Sequence, residues 1–381
     1  MEVRKGTALS SSKGYKQTEV GVIPEDWDVK KIMHICSMKS GKTITSESIS
    51  ELENYPCYGG NGLRGYTKSH THSGAYTLIG RQGALCGNIT FVDCDFFASE
   101  HAIVTSPNSQ TDIKWLSYVL YRMNLNQYTE SSAQPGLSVQ KILELPIPIP
   151  PTKSEQTAIA TALSDADALI TFLEKLIEKK RAIKQGAMQE LLKPKEGWEV
   201  KKLGDYSKIT SGESPSKFNF KSTGIPYFKV EQLNNCEKYQ IETPYYIETG
   251  NVIPKGSIIF PKRGASILLN KVRILKEDSY MDTNLMTLTL AEELSSEFVY
   301  YVLIHIELWR IADTTSIPQI NNKHINPIEI PFPPLEEQTR IATILSDMDA
   351  EITALEQKLA KYKQIKQGMM QELLTGRIRL V

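Results

Sequence analysis

Two short turns bounded by glycine carry side chains that could read DNA. They are Gly80-Arg81-Gln82-Gly83 and Lys262-Arg263-Gly264. Arginine and glutamine can pair with purine edges in the major groove, while lysine and backbone N–H groups suit phosphates. In an isolated domain such turns are usually ordinary hairpins, but these two recur at corresponding places in two halves of the chain. The candidate DNA contacts here are therefore Arg81, Gln82, Lys262, Arg263 and Lys271, the last at the start of a predicted strand.

A second pair of polar segments follows a predicted helix in each half, at residues 131–141 and 314–324. Both contain a proline and end in an amide followed by lysine, so that Gln140-Lys141 aligns with Asn322-Lys323. Amides can pair with adenine and lysines can reach phosphate. A solvated loop is an equally good interpretation. The candidates from these segments are Gln134, Gln140, Lys141, Gln319, Asn322 and Lys323.

A glycine-rich string at residues 58–66 contains the pattern G-x-G-x-x-G. A nucleotide-binding interpretation is rejected, because no buried parallel strand is predicted before the string and no helix after it. A glycine-rich turn near DNA, exposing Asn61, Arg64 and Lys68, fits better.

Residue types that serve metal or redox chemistry are present but poorly spaced. His70, His72, His101 and the nearby cysteines have no counterpart in the second half, so we do not expect a metal site. The five cysteines form no C-x-x-C pair, which argues against a disulfide framework or zinc ribbon and favours a reducing cytoplasm.

Catalytic motifs are missing as well. The sequence has no N-P-P-Y or D-P-P-Y methylation motif, since Asn326-Pro327 is followed by Ile and Glu, and it has no P-loop. We therefore expect a protein without catalytic residues of its own.

Length and charge limit the architecture. A chain of 381 residues predicts two domains, and no apolar run approaches the ~18 residues of a membrane span. The 44 Lys/Arg residues balance the 44 Asp/Glu residues. This balance argues against binding DNA by bulk charge, so any DNA surface must be a local patch.

The chain contains an internal repeat. Residues 155–192 match residues 337–374 at an offset of 182, with 25 of 38 positions identical. A second match, EDWDVKK at 25–31 with EGWEVKK at 196–202, has an offset of 171. Two blocks of different length, each followed by a constant block, therefore make up the chain.

Each constant block predicts a long helix with a heptad seam, framed by prolines. Two such narrow seams bury each other most economically, and the chain order favours an antiparallel pair roughly 57 Å long. A mere spacer or a dimerisation zipper is the plainer alternative. Identical polar positions in both copies favour docking of the same partner twice, although recent duplication would also explain them: Gln156, Gln185, Gln189, Glu190, Gln338, Gln367, Gln371 and Glu372.

Each variable block predicts three strands and then one helix. The strands are 77–80, 88–92 and 102–105 before a helix over 113–123, and 257–260, 271–275 and 285–290 before a helix over 298–311. The predicted class is α+β, with two mixed α/β domains in pseudo-two-fold arrangement, separated by the antiparallel coiled coil.

The segment YKQTEVGVIPEDW at 15–27, the IPIPP and IPFPP sequences before E-Q, and the KQGxMQELL helix ends resemble Type I restriction-modification specificity subunits. The resemblance covers essentially the whole chain. It implies recognition domains at 27–150 and 196–333, coil helices at 151–195 and 334–381, and residues 1–26 packed near the end of the second helix.

The resemblance further implies that each domain reads one half of an interrupted double-stranded DNA site. Two methyltransferase subunits would dock on the helices, and restriction subunits would join through them. S-adenosylmethionine, ATP and magnesium would bind those partners, which carry the adenine methyltransferase and endonuclease activities. Two alternatives remain: the recognition chain of a Type IIG-like restriction-methyltransferase, and a coiled-coil adaptor that does not bind DNA.

Overall fold

The computed structural model describes residues 14–83, 85–129, 136–248, 250–313 and 317–380. The chain forms two compact units: unit 1 comprises Met1–Glu174 with Lys358–Val381, and unit 2 comprises Lys175–Gln357. Six α-helices lie in the described residues: α1 Ile113–Arg122, α2 Val139–Glu144, α3 Lys153–Leu191, α4 Ser296–Ile306, α5 Asn322–Ile325 and α6 Leu335–Leu373. Both long helices, α3 and α6, contribute a segment to each unit.

Unit 1 is built around a four-stranded antiparallel sheet in the order β4-β10-β7-β8. A three-stranded sheet, β6-β5-β9, and the pairs β1-β2 and β11-β3 complete it. The strands are β1 Tyr15–Thr18, β2 Gly21–Pro24, β3 Asp28–Lys31, β4 Cys36–Ser40, β5 Tyr55–Gly59, β6 Gly62–Thr67, β7 Ala75–Gly80, β8 Ile89–Asp93, β9 Phe97–Ala98, β10 Ala102–Pro107 and β11 Pro146–Ile149.

Unit 2 repeats this plan with a five-stranded sheet, β13-β20-β17-β18-β15, a three-stranded sheet, β16-β14-β19, and the pair β12-β21. Its strands are β12 Glu199–Lys202, β13 Ser207–Ser211, β14 Ile225–Phe228, β15 Tyr239–Gln240, β16 Tyr246–Ile247, β17 Ile258–Pro261, β18 Arg273–Leu275, β19 Tyr280–Met281, β20 Leu285–Leu290 and β21 Glu329–Phe332. The predicted strands are therefore confirmed in both halves, and the fold class is α+β as expected.

In each unit, one helix covers the main sheet and buries large side chains. The α1 helix begins at Asp112, whose carboxylate accepts hydrogen bonds of 2.9 Å from the backbone N–H groups of Lys114 and Trp115. Trp115 is fully buried, as is Phe298 at the start of α4. Burying such side chains stabilises each unit by about 2 kcal/mol per residue.

Segments of the long helices run antiparallel within each unit. In unit 1, Lys366 pairs with Asp167 at 2.5 Å and Lys363 with Glu174 at 2.7 Å. In unit 2, Lys180 pairs with Glu351 at 2.6 Å. Apolar heptad positions on both helices are buried, as the pattern predicts: Ile159, Leu163, Leu173, Ile177, Ile341, Leu345 and Ile352. Ile159 and Leu163 belong to the core of unit 1, and Ile341 and Leu345 belong to that of unit 2.

The N-terminal and C-terminal segments of unit 1 meet. The Tyr15 hydroxyl donates to the backbone oxygen of Arg377, and the Arg379 guanidinium donates to Asp26 at 2.9 and 3.0 Å and to the buried carboxylate of Glu155. The hydrogen bond from Arg379 lowers the pKa of Asp26. In unit 2, Lys195 lies 3.9 Å from Glu337, the repeat counterpart of Glu155.

One predicted helix is too long. The sequence predicts a helix over 298–311, but α4 ends at Ile306, and Leu308–Ile311 forms a separate 3-10 turn. Glu307 between them has φ 60°, a left-handed conformation that interrupts an α-helix. The Asn270 side chain fixes this break, donating to the backbone oxygen of Ile304 at 3.1 Å and accepting from the N–H of Leu308 at 3.0 Å.

The alignment of the two post-helix segments is shifted by one residue. Ile32 donates its N–H to Leu145, and Leu203 donates to Ile328, so these pairs correspond at an offset of 183 rather than 182. The extra residue of the first copy lies between β11 and α3, since the offset returns to 182 from Glu155 onward. Gln140-Lys141 therefore corresponds to Lys323-His324, and the alignment with Asn322-Lys323 was wrong.

Candidate nucleic-acid interface

In unit 1 the glycine-bounded turn at residues 80–83 lies beside the described part of the post-helix segment, residues 136–141. The N–H of Leu137 donates to the backbone oxygen of Arg81 at 3.0 Å, and Gln82 forms a β-bridge with Gly136. Leu137 is buried, whereas the side chains of Arg81 and Gln82 are exposed. Leu137 anchors residues 136–141 against the turn, and Arg81 and Gln82 are exposed on the surface beside them.

The glycine-rich hairpin reaches the same surface. Gly60 and Asn61 connect β5 and β6, and a Cβ on Gly60 would lie 2.8 Å from the backbone oxygen of Gln82. A Cβ on Gly80 would lie 2.1 Å from the backbone oxygen of Gly60. Only glycine allows the two backbones to approach this closely. Asn61 is therefore held, exposed, beside Arg81 and Gln82.

The structure supports a hairpin rather than a nucleotide loop, but one premise of that prediction was wrong. β5, whose last two residues are the first two of the string, pairs in parallel with β9, through Cys57 with Phe97 and Tyr58 with Ala98. The string itself turns back into the antiparallel strand β6 instead of opening a helix. A nucleotide-binding fingerprint requires that helix.

Arg64 and Lys68 are not equally close to this surface. The aliphatic part of the Arg64 side chain packs over Gly59, next to the hairpin turn. Lys68 follows the far end of β6, about 20 Å from Asn61 at the rise of an extended strand. It lines a separate cleft with Glu47 and Glu53. The structure therefore separates Lys68 from the other unit 1 candidates.

In unit 2, the second turn makes the same contacts. Ile320 donates its N–H to the backbone oxygen of Lys262 at 2.8 Å, and Gly264 donates to Pro318 at 3.0 Å. Arg263 and Gln319 form a β-bridge. Gly264 has φ 89°, a conformation that favours glycine and ends the turn.

These contacts define which residues correspond. Arg81 donates its N–H to His101, and Lys262 donates to Asn284, while Leu137 and Ile320 donate to Arg81 and Lys262 respectively. Arg81 is therefore the counterpart of Lys262, and Gln82 that of Arg263. The two units present different side chains on the same backbone frame.

The electrostatic surroundings of these counterparts also differ. The Arg81 guanidinium donates to the hydroxyl of Ser40 at 3.0 Å. Lys262 is half-buried, and this burial lowers its pKa, an effect partly opposed by the charge of Asp282. Asp282 is itself 6% exposed, and burial raises its pKa. The counterpart of Asp282 in unit 1 is the uncharged Ser99, because both donate an N–H to equivalent strand residues.

The remaining candidates lie on the short helices and the adjoining turn. On α2, Gln140 donates to Glu144 at 2.9 Å, and Lys141 is exposed. On α5, Asn322 is exposed and Lys323 lies 3.2 Å from Asp313, which also pairs with His324. The hydrogen bond from Lys323 is the largest of the effects that lower the pKa of Asp313.

The last two predicted DNA contacts, Lys271 and Gln134, are not among the described residues that meet at these turns. Lys271 donates to the side chain of Asn234 at the start of the segment leading into β18. Gln134 lies outside the described residues.

A duplicated set of three side chains joins α1 in unit 1, and α4 in unit 2, to the long helices; we call these sets the Tyr–Asp–Lys triads. In unit 1, the Tyr118 hydroxyl donates to Asp167 at 2.8 Å, and Lys366 pairs with the same carboxylate. In unit 2, Tyr301 donates to Asp349 at 2.8 Å, and Lys184 pairs with it. Burial raises the pKa of both tyrosines, so they remain protonated hydrogen-bond donors.

Two of the predicted partner-binding residues have an internal role instead. Gln156 and Gln338 are 2% and 0% exposed. Gln156 accepts from the N–H of Asp112, and Gln338 accepts from the N–H of Ser295, both at 2.9 Å. These buried amides hold the starts of α1 and α4, which explains their identity in the two copies without a partner.

The other partner-binding candidates remain accessible. Gln185 and Gln189 line a polar groove of about 580 Å³ in unit 2, together with Arg181, His305 and Arg310. The others lie on the last turns of the long helices: Glu190, Gln367 and Gln371 are exposed, and Glu372 is half-buried beside Arg377.

Within the described residues, no group of three or more His, Cys, Asp or Glu side chains is arranged to hold a metal ion. No helix in the same part of the chain is long and apolar enough to cross a membrane.

The duplicated architecture agrees with a comparison against known families. The family model described as the Type I restriction modification DNA specificity domain matches twice, at residues 24–182 and 195–367. The chain belongs to this family. Each match contains one of the two turns, Gly80-Arg81-Gln82-Gly83 or Lys262-Arg263-Gly264, which we name the reading turns for the role proposed below.

Curated specificity subunits are similar to this chain over different extents. The Type I restriction enzyme EcoprrI specificity subunit of Escherichia coli is 44% identical over 144 residues, which cover 37% of this chain and 36% of that protein. The putative Type I restriction enzyme MjaX specificity subunit of Methanocaldococcus jannaschii is 26% identical and aligns over 96% of this chain and 97% of its own.

Solved structures of low identity share the fold. The S subunit of a Type I restriction-modification system from M. genitalium has a TM-score of 0.66 at 19% identity, covering 96% of this chain and 98% of its own. A chain from a structure of Type I assembly and conformational transition has a TM-score of 0.60 at 16% identity, covering 93% of this chain and 99% of its own.

Sequence reasoning about this specificity subunit missed the residues that support the turns. Ser40 and His101 contact Arg81 through a side chain and a backbone oxygen, from strand β4 and the segment before β10. Neither stands in a motif, and both are distant from Arg81 in sequence. Only the pairing of β10 with β4 and β7 brings them together.

Proposed function

We propose that this specificity subunit reads a bipartite, asymmetric double-stranded DNA site, with unit 1 and unit 2 each recognising one half. The observation that carries the proposal is that, in each unit, the glycine-bounded turn lies beside the post-helix segment that was predicted separately. Arg81, Gln82 and Asn61 share one surface in unit 1, and Lys262, Arg263 and Gln319 share the corresponding surface in unit 2. Side chains of these types suit base edges and phosphates.

The difference between the two surfaces supports unlike half-sites. Glutamine at position 82 pairs best with adenine, whereas arginine at the corresponding position 263 pairs best with guanine. The frame that holds them is the same in both units, so the change lies in the reading side chains rather than in the scaffold.

The long helices would set the length of the unread spacer between the half-sites. Each contains 39 residues, about 58 Å of helix, which is comparable to one and a half to two turns of B-DNA.

The duplicated exposed residues near the helix ends, including Gln185 with Gln367 and Gln189 with Gln371, support docking of two methyltransferase subunits. Restriction subunits would join the complex through them.

Chemistry would belong to those partners. S-adenosylmethionine, ATP and magnesium would bind the methyltransferase and restriction subunits, which would supply adenine methylation and DNA cleavage. Recognition would be the contribution of this chain, and it would act in the cytoplasm.

The deciding experiment maps methylated bases in DNA from cells with and without this chain. We expect a two-part motif that disappears when the chain is deleted. An unchanged methylation pattern, together with no mobility shift of any duplex by the assembled complex, would favour a coiled-coil adaptor. Methyl transfer by the purified chain alone would favour a single-chain restriction-methyltransferase.

A second experiment tests the spacer. Inserting one heptad into both long helices should lengthen the unread spacer and leave both half-sites unchanged. A change in the half-site sequences would contradict this role of the helices.

A further inference from the structure

Two adjacent leucines project from the reading turn of unit 2. Leu268 and Leu269 are 57% and 65% exposed and end the 3-10 turn Ala265–Leu269, which follows Lys262-Arg263-Gly264 directly. Two neighbouring leucines in water are unfavourable unless they are covered in a complex.

The segment that carries them is fixed at both ends. On one side, Ile267 is buried and donates its N–H to Gly264, which is itself bonded to Pro318. On the other side, the Asn270 side chain binds the backbone of Ile304 and Leu308. Hydrogen bonds thus hold the loop that carries the two leucines at both ends. Little conformational entropy of the backbone is therefore lost when the leucines make a contact.

Unit 1 lacks the pair: the same turn there exposes a single leucine, Leu85, which is 51% exposed and stands at the position of Ser266. Cys86 corresponds to Ile267, because each donates its N–H to the glycine that ends the reading turn, Gly83 or Gly264. Gly87 corresponds to Asn270: both have positive φ, 88° and 45°, and they lie against Leu125 and Leu308 respectively. Cys86 and Gly87 are consecutive, so the leucines are a two-residue insertion found in unit 2 alone.

The presence of the leucine insertion in unit 2 alone indicates which kind of molecule would cover it. A protein that docks equivalently on both repeats would use features that the repeats share. The half-sites of DNA are the components proposed to differ between the units. Residues 261–271 also contain three Lys/Arg residues and no Asp/Glu, a charge that complements phosphate.

We propose that Leu268 and Leu269 contact the 5-methyl group of a thymine in the half-site read by unit 2. An apolar side chain beside hydrogen-bonding groups distinguishes thymine from cytosine in the major groove, because the methyl group is the apolar mark of an A·T pair there. The inference rests on the proposed DNA-reading function and adds a specificity element to it.

The test uses the full chain assembled with its methyltransferase partner and duplexes that contain the mapped site. Each thymine of the two half-sites is replaced in turn by deoxyuridine, which lacks the methyl group. The wild-type complex should lose about fourfold in affinity at one position of one half-site, the factor expected for one buried methyl group.

The double variant Leu268→Ala/Leu269→Ala should bind the thymine duplex about fourfold more weakly and should no longer distinguish thymine from deoxyuridine at that position. The matched control is Leu52→Ala, which removes a leucine that is 92% exposed in unit 1. This control should retain the wild-type preference for thymine.

The proposal is overturned if the double variant keeps the thymine preference, or if neither half-site contains a thymine whose methyl group matters. Failure of the variant to assemble with the methyltransferase would assign the leucines to a protein contact instead. If the wild-type complex shows no sequence-specific binding at all, the proposed DNA-reading function fails, an outcome distinct from the loss of one methyl contact.

Discussion

Unit 1 and unit 2 are alike where they attach to the long helices and unlike where they face their proposed DNA. The Tyr–Asp–Lys triads and the buried glutamines occur in both units with nearly the same distances. At the reading turns, arginine and glutamine in unit 1 are replaced by lysine and arginine in unit 2, and unit 2 has an extra leucine pair. The polar groups that fix the scaffold are thus separate from those that would determine the target.

The largest effect should come from the buried glutamine of unit 2. Gln338→Ala removes hydrogen bonds to the backbone of Ser295, Glu293 and Pro333, all at 2.9 Å, and leaves the buried backbone oxygen of Pro333 without this donor. We expect the free energy of unfolding of unit 2 to fall by about 3 kcal/mol, measured by denaturant unfolding. Gln156→Ala, the matched change in unit 1, should cost less. Equal, negligible losses would contradict the structural role of these amides.

Changes in the reading turns should affect binding to one half-site only. Arg81→Ala should weaken recognition of the half read by unit 1, and Arg263→Ala that of the other half, each by roughly 1–3 kcal/mol if the residue reads a base. Competition binding with duplexes altered in one half measures this. A loss that is equal for all sequences would instead show a phosphate contact. Ser40→Ala is the control that removes the hydroxyl to which Arg81 donates while keeping the Arg81 side chain.

The triads should contribute similarly in both units. Tyr118→Phe and Tyr301→Phe each remove one hydroxyl that donates to an aspartate, so the unfolding free energy of the corresponding unit should fall by about 1–2 kcal/mol. Thermal unfolding of the two single variants provides the comparison. A large effect in one unit and none in the other would show that the triads are not equivalent.

The smallest effect on stability should come from the ion pair between Arg379 and Asp26, near the two ends of unit 1. Because the Arg379 hydrogen bond lowers the pKa of Asp26 from 3.8, this contact stabilises the folded state above that pH and is lost as the pH falls through the lowered value. Asp26→Asn should therefore be slightly less stable than wild type near about pH 7 and equally stable near about pH 2. A difference that persists unchanged at low pH would point to packing rather than charge.

The regular parts of the molecule were predictable because they follow from local patterns. The seam of α3 and α6 follows from apolar spacing, and the strand pattern located β7, β10, β17 and β20. The internal repeat predicts two copies of each of these features. The convergence of the turn with the post-helix segment was not predicted, because it depends on pairing between residues such as Gln82 and Gly136 that are distant in sequence.

The errors have specific physical causes. The sequence predicts Gln156 and Gln338 to bind a partner, because sequence alone does not show that a polar side chain is buried and bonded to a neighbouring helix start. The end of α4 was placed too late, because Ile311 continues the apolar spacing although Glu307 has left the helical conformation. The one-residue shift before α3 was hidden by the similar proline sequences in both copies.

The close approach of Gly60 and Gly80 has an evolutionary consequence. These glycines hold two backbones together without using any side chain, so the support of the unit 1 surface is independent of what occupies positions 61, 81 and 82. Substitutions there can be sampled without loss of the fold. A lineage under pressure from changing invaders could thus acquire a new target by a few point mutations, while alterations of the two glycines would be eliminated.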